Sequence, residues 1–210
     1  MRTLVAQVRD NSTVEDDLLS AVLDHAVKHG AGRLAFRPLA EALGVSTFKL
    51  VYHFGSKKQL VQTVIEVAVT RQVDEVRRWL AETPNPTVGS IMKRYWDWAS
   101  QPHSLAVSRL FFEANGLGLY DAESYPPVFE HIVKESIALE ASVVRRAGFA
   151  SEDVEPVATV VCAVVWGLQL DLLSTGDSQR TTDALHLHAD LIDGRQAMST
   201  KRNAEQRGEP

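Results

Sequence analysis

The sequence has little cysteine, no long hydrophobic run and no excess of positive charge. Its single cysteine, Cys162, cannot form an internal disulfide or a multi-thiolate metal site, which indicates a reducing, cytoplasmic compartment. We expect it to be a small buried hydrophobic residue. The longest stretch without a charged residue, 156–170, is shorter than the ~20 residues of a membrane-spanning helix. The sequence therefore predicts a buried helix there and no membrane partner.

Charge is distributed unevenly along the chain. The net charge of the 210 residues is −5, which by itself argues against a nucleic-acid partner. Residues 33–58, however, carry five basic side chains and one acidic one, a net charge of +4 against −9 for the remainder. A basic segment on an acidic chain indicates either a DNA-binding module joined to another domain or simply a solvated basic face.

Apolar residues recur at helical spacing through nearly the whole chain, and no segment alternates as a strand does. The sequence therefore predicts an all-α protein. Glycines and prolines divide it into expected helices at about residues 13–29, 37–43, 47–53, 56–82, 88–100, 104–115, 126–147, 151–175 and 181–192. The strongest linker signal is 83–87, with two prolines, and we place the domain boundary there or in the helix before it. The domains are 1–62 and 63–198, followed by a polar tail, 199–210, expected to be disordered.

Two short helices within residues 34–60 are separated by a turn, and their spacing is that of a helix-turn-helix. Gly44 allows the turn, Val45 fills the corner and Ser46 can cap the second helix. One side of the pair is apolar. The other presents hydroxyl and basic groups that can reach base edges or phosphates. The segment therefore predicts a three-helix DNA-binding domain at the N-terminus.

The motif resembles that of the TetR family of bacterial transcriptional regulators. The matching residues are Leu39-Ala40, Leu43-Gly44-Val45-Ser46, Leu50, His53-Phe54, Ser56-Lys57 and Leu60. The resemblance implies a basic contact from Arg37, major-groove contacts from the second helix, and a phosphate held at the start of the fourth helix beside Lys57. The expected DNA-binding residues are Arg37, Ser46, Thr47, Lys49, Tyr52, His53 and Lys57.

The chain departs from the family pattern at two places. The tyrosine that usually follows Leu50 directly is shifted by one residue, to Tyr52, and Ala35-Phe36 stand where a serine or threonine is common. These departures motivate an alternative: a helical small-molecule-binding protein or enzyme that retains a degenerate helix-turn-helix. A pure interaction module without a pocket is a third hypothesis.

The helix expected at 151–175 is apolar on all sides, so it has to be buried on both. One side can face the core of its own domain and the other a second subunit, with the last helix adding to the interface. The family resemblance implies a homodimer joined by a four-helix bundle. A central core helix in a monomer is the alternative. The expected interface residues are Val157, Val161, Val164, Leu168, Leu187 and Leu191.

Aromatic side chains concentrate in the second domain, where they can line an apolar pocket for a small-molecule effector, or simply form the core. The expected pocket residues are Tyr95, Trp98, Phe111, Phe112, Asn115, Phe129, Trp166 and Gln169. We find no convincing catalytic constellation, phosphate loop or metal site, and expect no enzyme activity, metal or cofactor. The leading hypothesis is a TetR-like repressor that binds a near-palindromic operator in double-stranded DNA as a dimer and is released by an effector.

Overall fold

The computed structural model describes residues 17–123 and 128–207, and the side chains of all of these except 128, 129 and 197–207. The described residues form helices and no strand, as the sequence predicts. The helices are α1 (17–29), α2 (Phe36–Leu43), α3 (Thr47–Phe54), α4 (Lys57–Glu82), α5 (Val88–Ala99), α6 (Pro102–Tyr120), α7 (Val128–Arg146), α8 (Ser151–Thr175) and α9 (Ser178–Arg207).

Two helices run further than the sequence analysis expected. α6 continues through Gly116 and Gly118 to Tyr120, and α9 continues through Gly194 to Arg207. The expected end of the last helix at about residue 192 is therefore wrong, and 199–207, expected to be disordered, is helical. A glycine inside a helix costs only about 1 kcal/mol, and strong helix formers such as Gln, Ala, Lys, Arg and Glu follow Gly194.

The chain divides into two compact units. The first comprises 17–68, 109–123 and 128 of the described residues, so it includes α1 to α3, the first part of α4 and the second part of α6. Each helix contributes one apolar face to a common core, as its spacing predicts. The fully buried side chains of this core include Val22, Leu34, Leu39, Leu50, Leu60, Val61, Val64 and Leu110.

The second unit comprises 69–108 and 129–207 of the described residues. Within it α5 packs on α9 and α8. The approach to α9 is close because Gly89 has no side chain: a Cβ there would lie 2.5 Å from the carbonyl oxygen of Ala189. Because the two helices lie this close, Asp193 of α9 can cap α5. It accepts hydrogen bonds from the Gly89 amide at 2.8 Å and from the Thr87 hydroxyl at 2.9 Å. The end of one helix is thereby fixed by the side chain of another.

α8 packs on α9 and α5 in the second unit. It is long and apolar enough to cross a membrane by length and composition, and 39% of its apolar window is buried inside the protein. Its buried residues, among them Val157, Ala158, Val161 and Val165, belong to the hydrophobic core of the unit. The same pattern is typical of the core helix of a soluble protein, as the sequence analysis expected.

Candidate functional site

The two helices of the motif are joined by a tight turn. α2 ends at Gly44, which adopts the left-handed conformation (φ 63°), and the Val45 amide donates to the Ala40 carbonyl at 3.0 Å. Ser46 then caps α3, because its hydroxyl accepts a hydrogen bond from the Lys49 amide at 3.1 Å. Leu50 and Phe54 bury the inner face of α3. The opposite face is therefore held toward solvent in a fixed orientation.

That outer face of α3 carries two exposed aromatic rings. Phe48 is 79% exposed and Tyr52 is 76% exposed, and their rings stack with centroids 6.5 Å apart and an interplanar angle of 25°. The rings of Tyr52 and His53 form a T-shaped pair with centroids 5.4 Å apart. Thr47 is exposed beside them and Lys49 is partly exposed. An apolar surface of this kind on a small helix, next to basic residues, indicates a binding surface.

α4 begins with a reciprocal capping box. The Gln59 side-chain oxygen accepts from the Ser56 amide at 2.8 Å, and the Ser56 hydroxyl accepts from the Gln59 amide at 3.2 Å. Lys57 follows directly, at the positive end of the helix dipole. The Lys58 ammonium donates to the Ala122 carbonyl at 3.0 Å. The start of α4 therefore combines positive charge with a well-ordered helix terminus, the geometry that favours an anionic group.

The structure places the predicted DNA-binding residues in one unit, on three successive helix segments. Arg37 is exposed on α2; Ser46, Thr47, Lys49, Tyr52 and His53 lie at the cap and along α3; Lys57 opens α4. Ser46 uses its hydroxyl for the cap. Phe48, which is not among the predicted residues, is exposed on the same face of α3, and an aromatic residue at an outward position near the start of the second helix was a usable signal.

Glu113 of α6 makes a long-range contact within the first unit. Its carboxylate accepts hydrogen bonds from the amides of Ala31 and Gly32, at 2.9 and 3.0 Å. These amides lie in the turn after α1, where Gly30 has a φ of 89°. Glu113 thus fixes the loop that leads into α2, which explains why residues 109–123 belong to the first unit. No local pattern signals this contact across more than 80 residues.

The arrangement matches solved structures over most of the chain. A TetR regulator from Legionella pneumophila has 17% identity and a TM-score of 0.64, covering 83% of this chain and 94% of its own. A TetR-family regulator from Pectobacterium atrosepticum has 15% identity and a TM-score of 0.62 (88% and 94%). NemR of E. coli, reduced form, has 15% identity and a TM-score of 0.69 (85% and 96%). The chain has the TetR fold. No family model and no curated protein matches its sequence.

The expected pocket residues of this TetR-like chain do not all lie in one unit. Phe111, Phe112 and Asn115 belong to the first unit, with the two phenylalanine rings 5.5 Å apart, edge to face. The side chain of Phe129 is outside the described residues. The four in the second unit are Tyr95, Trp98, Trp166 and Gln169. That these residues line one pocket therefore stays a prediction, since helical spacing alone could not show that the second part of α6 packs with the first unit.

Polar side chains are buried in the second unit of the TetR-like chain. Gln169 is 2% exposed, and its amide donates to the Ser108 hydroxyl at 3.2 Å. The Tyr95 hydroxyl shares a hydrogen bond with Gln169, and burial raises the pKa of Tyr95 to about 12. Cys162 is buried, as expected, and burial raises the pKa of its thiol to about 12, with the nearby charge of Glu140 adding to the effect.

The expected dimer residues of the TetR-like chain fall into two groups. Val157 and Val161 are 3% and 2% exposed and lie in the core of their own unit, so assigning them to an interface is corrected. Val164 and Leu168 are partly exposed. The strongly exposed apolar residues of α8 and α9 are Val160 (47%), Leu170 (49%), Leu187 (64%) and Leu191 (63%). Since α8 and α9 pack together, this helix pair carries uncovered apolar side chains on both members.

Proposed function

We propose that the protein is a cytoplasmic transcriptional repressor that binds a near-palindromic operator as a homodimer and is released by a small-molecule effector. The observation that carries the proposal is the outer face of α3, where Thr47, Phe48 and Tyr52 are exposed between Arg37 and Lys57. An exposed helix surface with flanking basic groups fits the major groove of DNA. The TetR fold supports the same reading by analogy.

The dimer would recognise DNA through the spacing of its two α3 helices. A two-fold dimer through α8 and α9 would present two copies of α3 to successive major grooves, about 34–36 Å apart. An effector that binds the non-operator state more tightly would lower operator affinity by the ratio of its affinities for the two states. The free energy of effector binding would then drive release of the protein from the operator.

The direct test is binding of the full chain to a labelled duplex from upstream of its own gene and to random duplex, at two salt concentrations, followed by selection from a random library. We expect specific binding that weakens steeply with salt, at two chains per site. If neither the upstream duplex nor any selected duplex is preferred over random DNA, the regulator function is wrong.

Substitutions should separate phosphate contacts from base contacts. Lys57→Ala should weaken binding to specific and random duplexes by a similar factor, about tenfold, and reduce the salt slope by about 1. Thr47→Ala and Lys49→Ala should cost more on the specific duplex, and should shift base preference within the half-site. Fluorescence anisotropy on both duplexes measures the difference. Equal losses for all three variants would contradict the assigned roles.

Phe48 should contact the methyl group of a thymine base. Apolar side chains discriminate thymine in the major groove through its C5-methyl group, and Phe48 with the stacked Tyr52 is the apolar surface of α3. Phe48→Ala is expected to lower affinity for a selected operator about tenfold, within the usual range for one base contact. Replacing the contacted thymine by deoxyuracil should weaken the wild type similarly, and should add nothing in the variant.

The control for this experiment is a thymine-to-deoxyuracil exchange outside the half-sites, which should leave affinity unchanged. If Phe48→Ala loses as much affinity on the deoxyuracil duplex as on the thymine duplex, Phe48 acts through the helix and not through the methyl group.

A further inference from the structure

Glu140 of α7 has a carboxylate oxygen that is buried without a partner. Its neighbours one turn away, Val143 and Val144, are fully buried, so α7 turns this side into the core of the second unit. The carboxylate oxygen Oε1 is shut off from solvent and has no hydrogen-bond partner within the described part of the chain. Burying a carboxylate without a compensating group is costly, so such a residue calls for an explanation.

Cys162 of α8 adjoins Glu140, and contacts from Cys162 continue to polar groups of α5 and α6. Glu140 is close enough to Cys162 of α8 for its charge to act on the thiol, and Cys162 in turn interacts with the Tyr95 hydroxyl of α5. Tyr95 bonds to Gln169, which bonds to Ser108 of α6. The Tyr95 ring lies 5.8 Å from Trp98 and supplies an aromatic face. The cluster therefore combines one unpaired acid, hydrogen-bonding groups and aromatic surface.

We propose that the second unit binds an organic cation, an amine with an apolar body, whose positive charge pairs with the carboxylate of Glu140. Only the identification of this ligand as the effector rests on the proposed function. A protonated amine donates hydrogen bonds to the unpartnered Oε1, and its apolar body suits the aromatic and aliphatic surroundings. An anion would meet the Glu140 charge with like sign, and a neutral molecule would leave that charge unpaired.

The pH dependence of binding follows from the same residue. Burial raises the pKa of the Glu140 carboxyl to about 7, and only the ionised form pairs with a cation. Affinity for an amine should therefore fall about tenfold between pH 8 and pH 6, because an alkylamine stays protonated over this range. The pKa values of Cys162, which adjoins Glu140 from α8, and of Tyr95, which adjoins Cys162 from α5, lie at about 12, so neither group changes charge over this range. His188 of α9 has a pKa lowered by burial, and a Glu140 variant separates its contribution.

The test is isothermal titration of the full chain with three compounds of one size: 4-phenylbutylamine, 4-phenylbutanol and 4-phenylbutyrate. At pH 8 we expect the amine to bind at least tenfold more tightly than the alcohol, and the carboxylate more weakly still. Glu140→Gln should reduce the affinity for the amine to that for the alcohol and remove the pH dependence of amine binding. Glu135→Gln, which removes an exposed carboxylate from the same helix, should bind like the wild type.

Each remaining outcome has a defined meaning. Equal binding of amine and alcohol, unchanged amine binding by Glu140→Gln, or no binding of any of the three compounds overturns the cation site. The wild-type pH dependence needs no variant, so a misfolded Glu140→Gln does not remove the test. Operator binding is measured on the same preparation: DNA binding without amine binding overturns the cation site alone, and amine binding through Glu140 without DNA binding overturns the regulator function alone.

Discussion

Leu187→Glu combined with Leu191→Glu is expected to convert the protein from a dimer to a monomer. Both leucines of α9 are more than 60% exposed in the single chain, at 64% and 63%, so the substitutions leave the core of the second unit intact. In a dimer through α8 and α9 the same positions would be buried against their copies. Each new carboxylate would then lose its hydration without gaining a partner, which costs several kcal/mol. We expect the dissociation constant to rise at least 100-fold, equivalent to about 3 kcal/mol.

Sedimentation equilibrium gives the oligomeric state, and anisotropy on the selected operator gives the functional consequence. A monomer presents a single α3, so we expect specific affinity to fall with the loss of the second half-site contact. Leu119→Glu is the matched control, because Leu119 is 77% exposed and lies in the first unit. A double variant that stays dimeric would place the interface on another surface, and a monomeric wild type would contradict the dimer itself.

Glu140→Gln is expected to stabilise the unliganded protein at high pH and to change little at low pH. In the unfolded chain the carboxyl ionises near its ordinary pKa of 4.5, whereas burial raises the folded-state pKa to about 7. The folded protein therefore holds a proton that the unfolded chain releases, and the free energy of unfolding decreases as pH rises from about 4.5 to about 7. The amide carries no charge, so the free energy of unfolding of the variant does not decrease with pH through this position.

The expected size of the effect follows from the two pKa values. At pH 8 the variant should be more stable by about 3 kcal/mol, or about 6–12 °C in melting temperature, and at pH 5 by about 1 kcal/mol or less. Urea denaturation followed by circular dichroism at both pH values measures the difference. Glu135→Gln serves as the control, since its carboxylate is exposed. A gain of the same size at both pH values would show a packing effect and not the release of a buried charge.

The helix-turn-helix could be read from sequence because its determinants are local. Gly44 supplies the left-handed turn and Ser46 the cap within three residues of one another, and the apolar spacing fixes which side of α2 and α3 is buried. The outward side chains of α3 follow from the same geometry. Phe48 was not among the predicted DNA-binding residues because only polar groups were considered for that role. Its position on the helix nevertheless makes it exposed.

The second unit shows where a one-dimensional pattern stops being informative. α8 is apolar on every side, so spacing could not tell core residues such as Val157 from surface residues such as Val160. The pocket residues were grouped by being aromatic, but Phe111 and Phe112 belong to the first unit. The end of α9 was placed too early because the tail lacks apolar periodicity, although its residues favour a helix.

The sequence by itself determined the all-helical class, the position of the helix-turn-helix, the caps at Gly44 and Ser46, and the concentration of positive charge around them. These depend on backbone preferences and on periods of a few residues. Only the tertiary structure decided that Glu113 holds the turn after α1, that Asp193 caps α5, and that a carboxylate oxygen of Glu140 is buried without a partner. The physical reason is that an isolated carboxylate in a sequence carries no sign of its surroundings. Whether it caps a distant amide, binds a cation or stays in water is fixed by which helices pack around it.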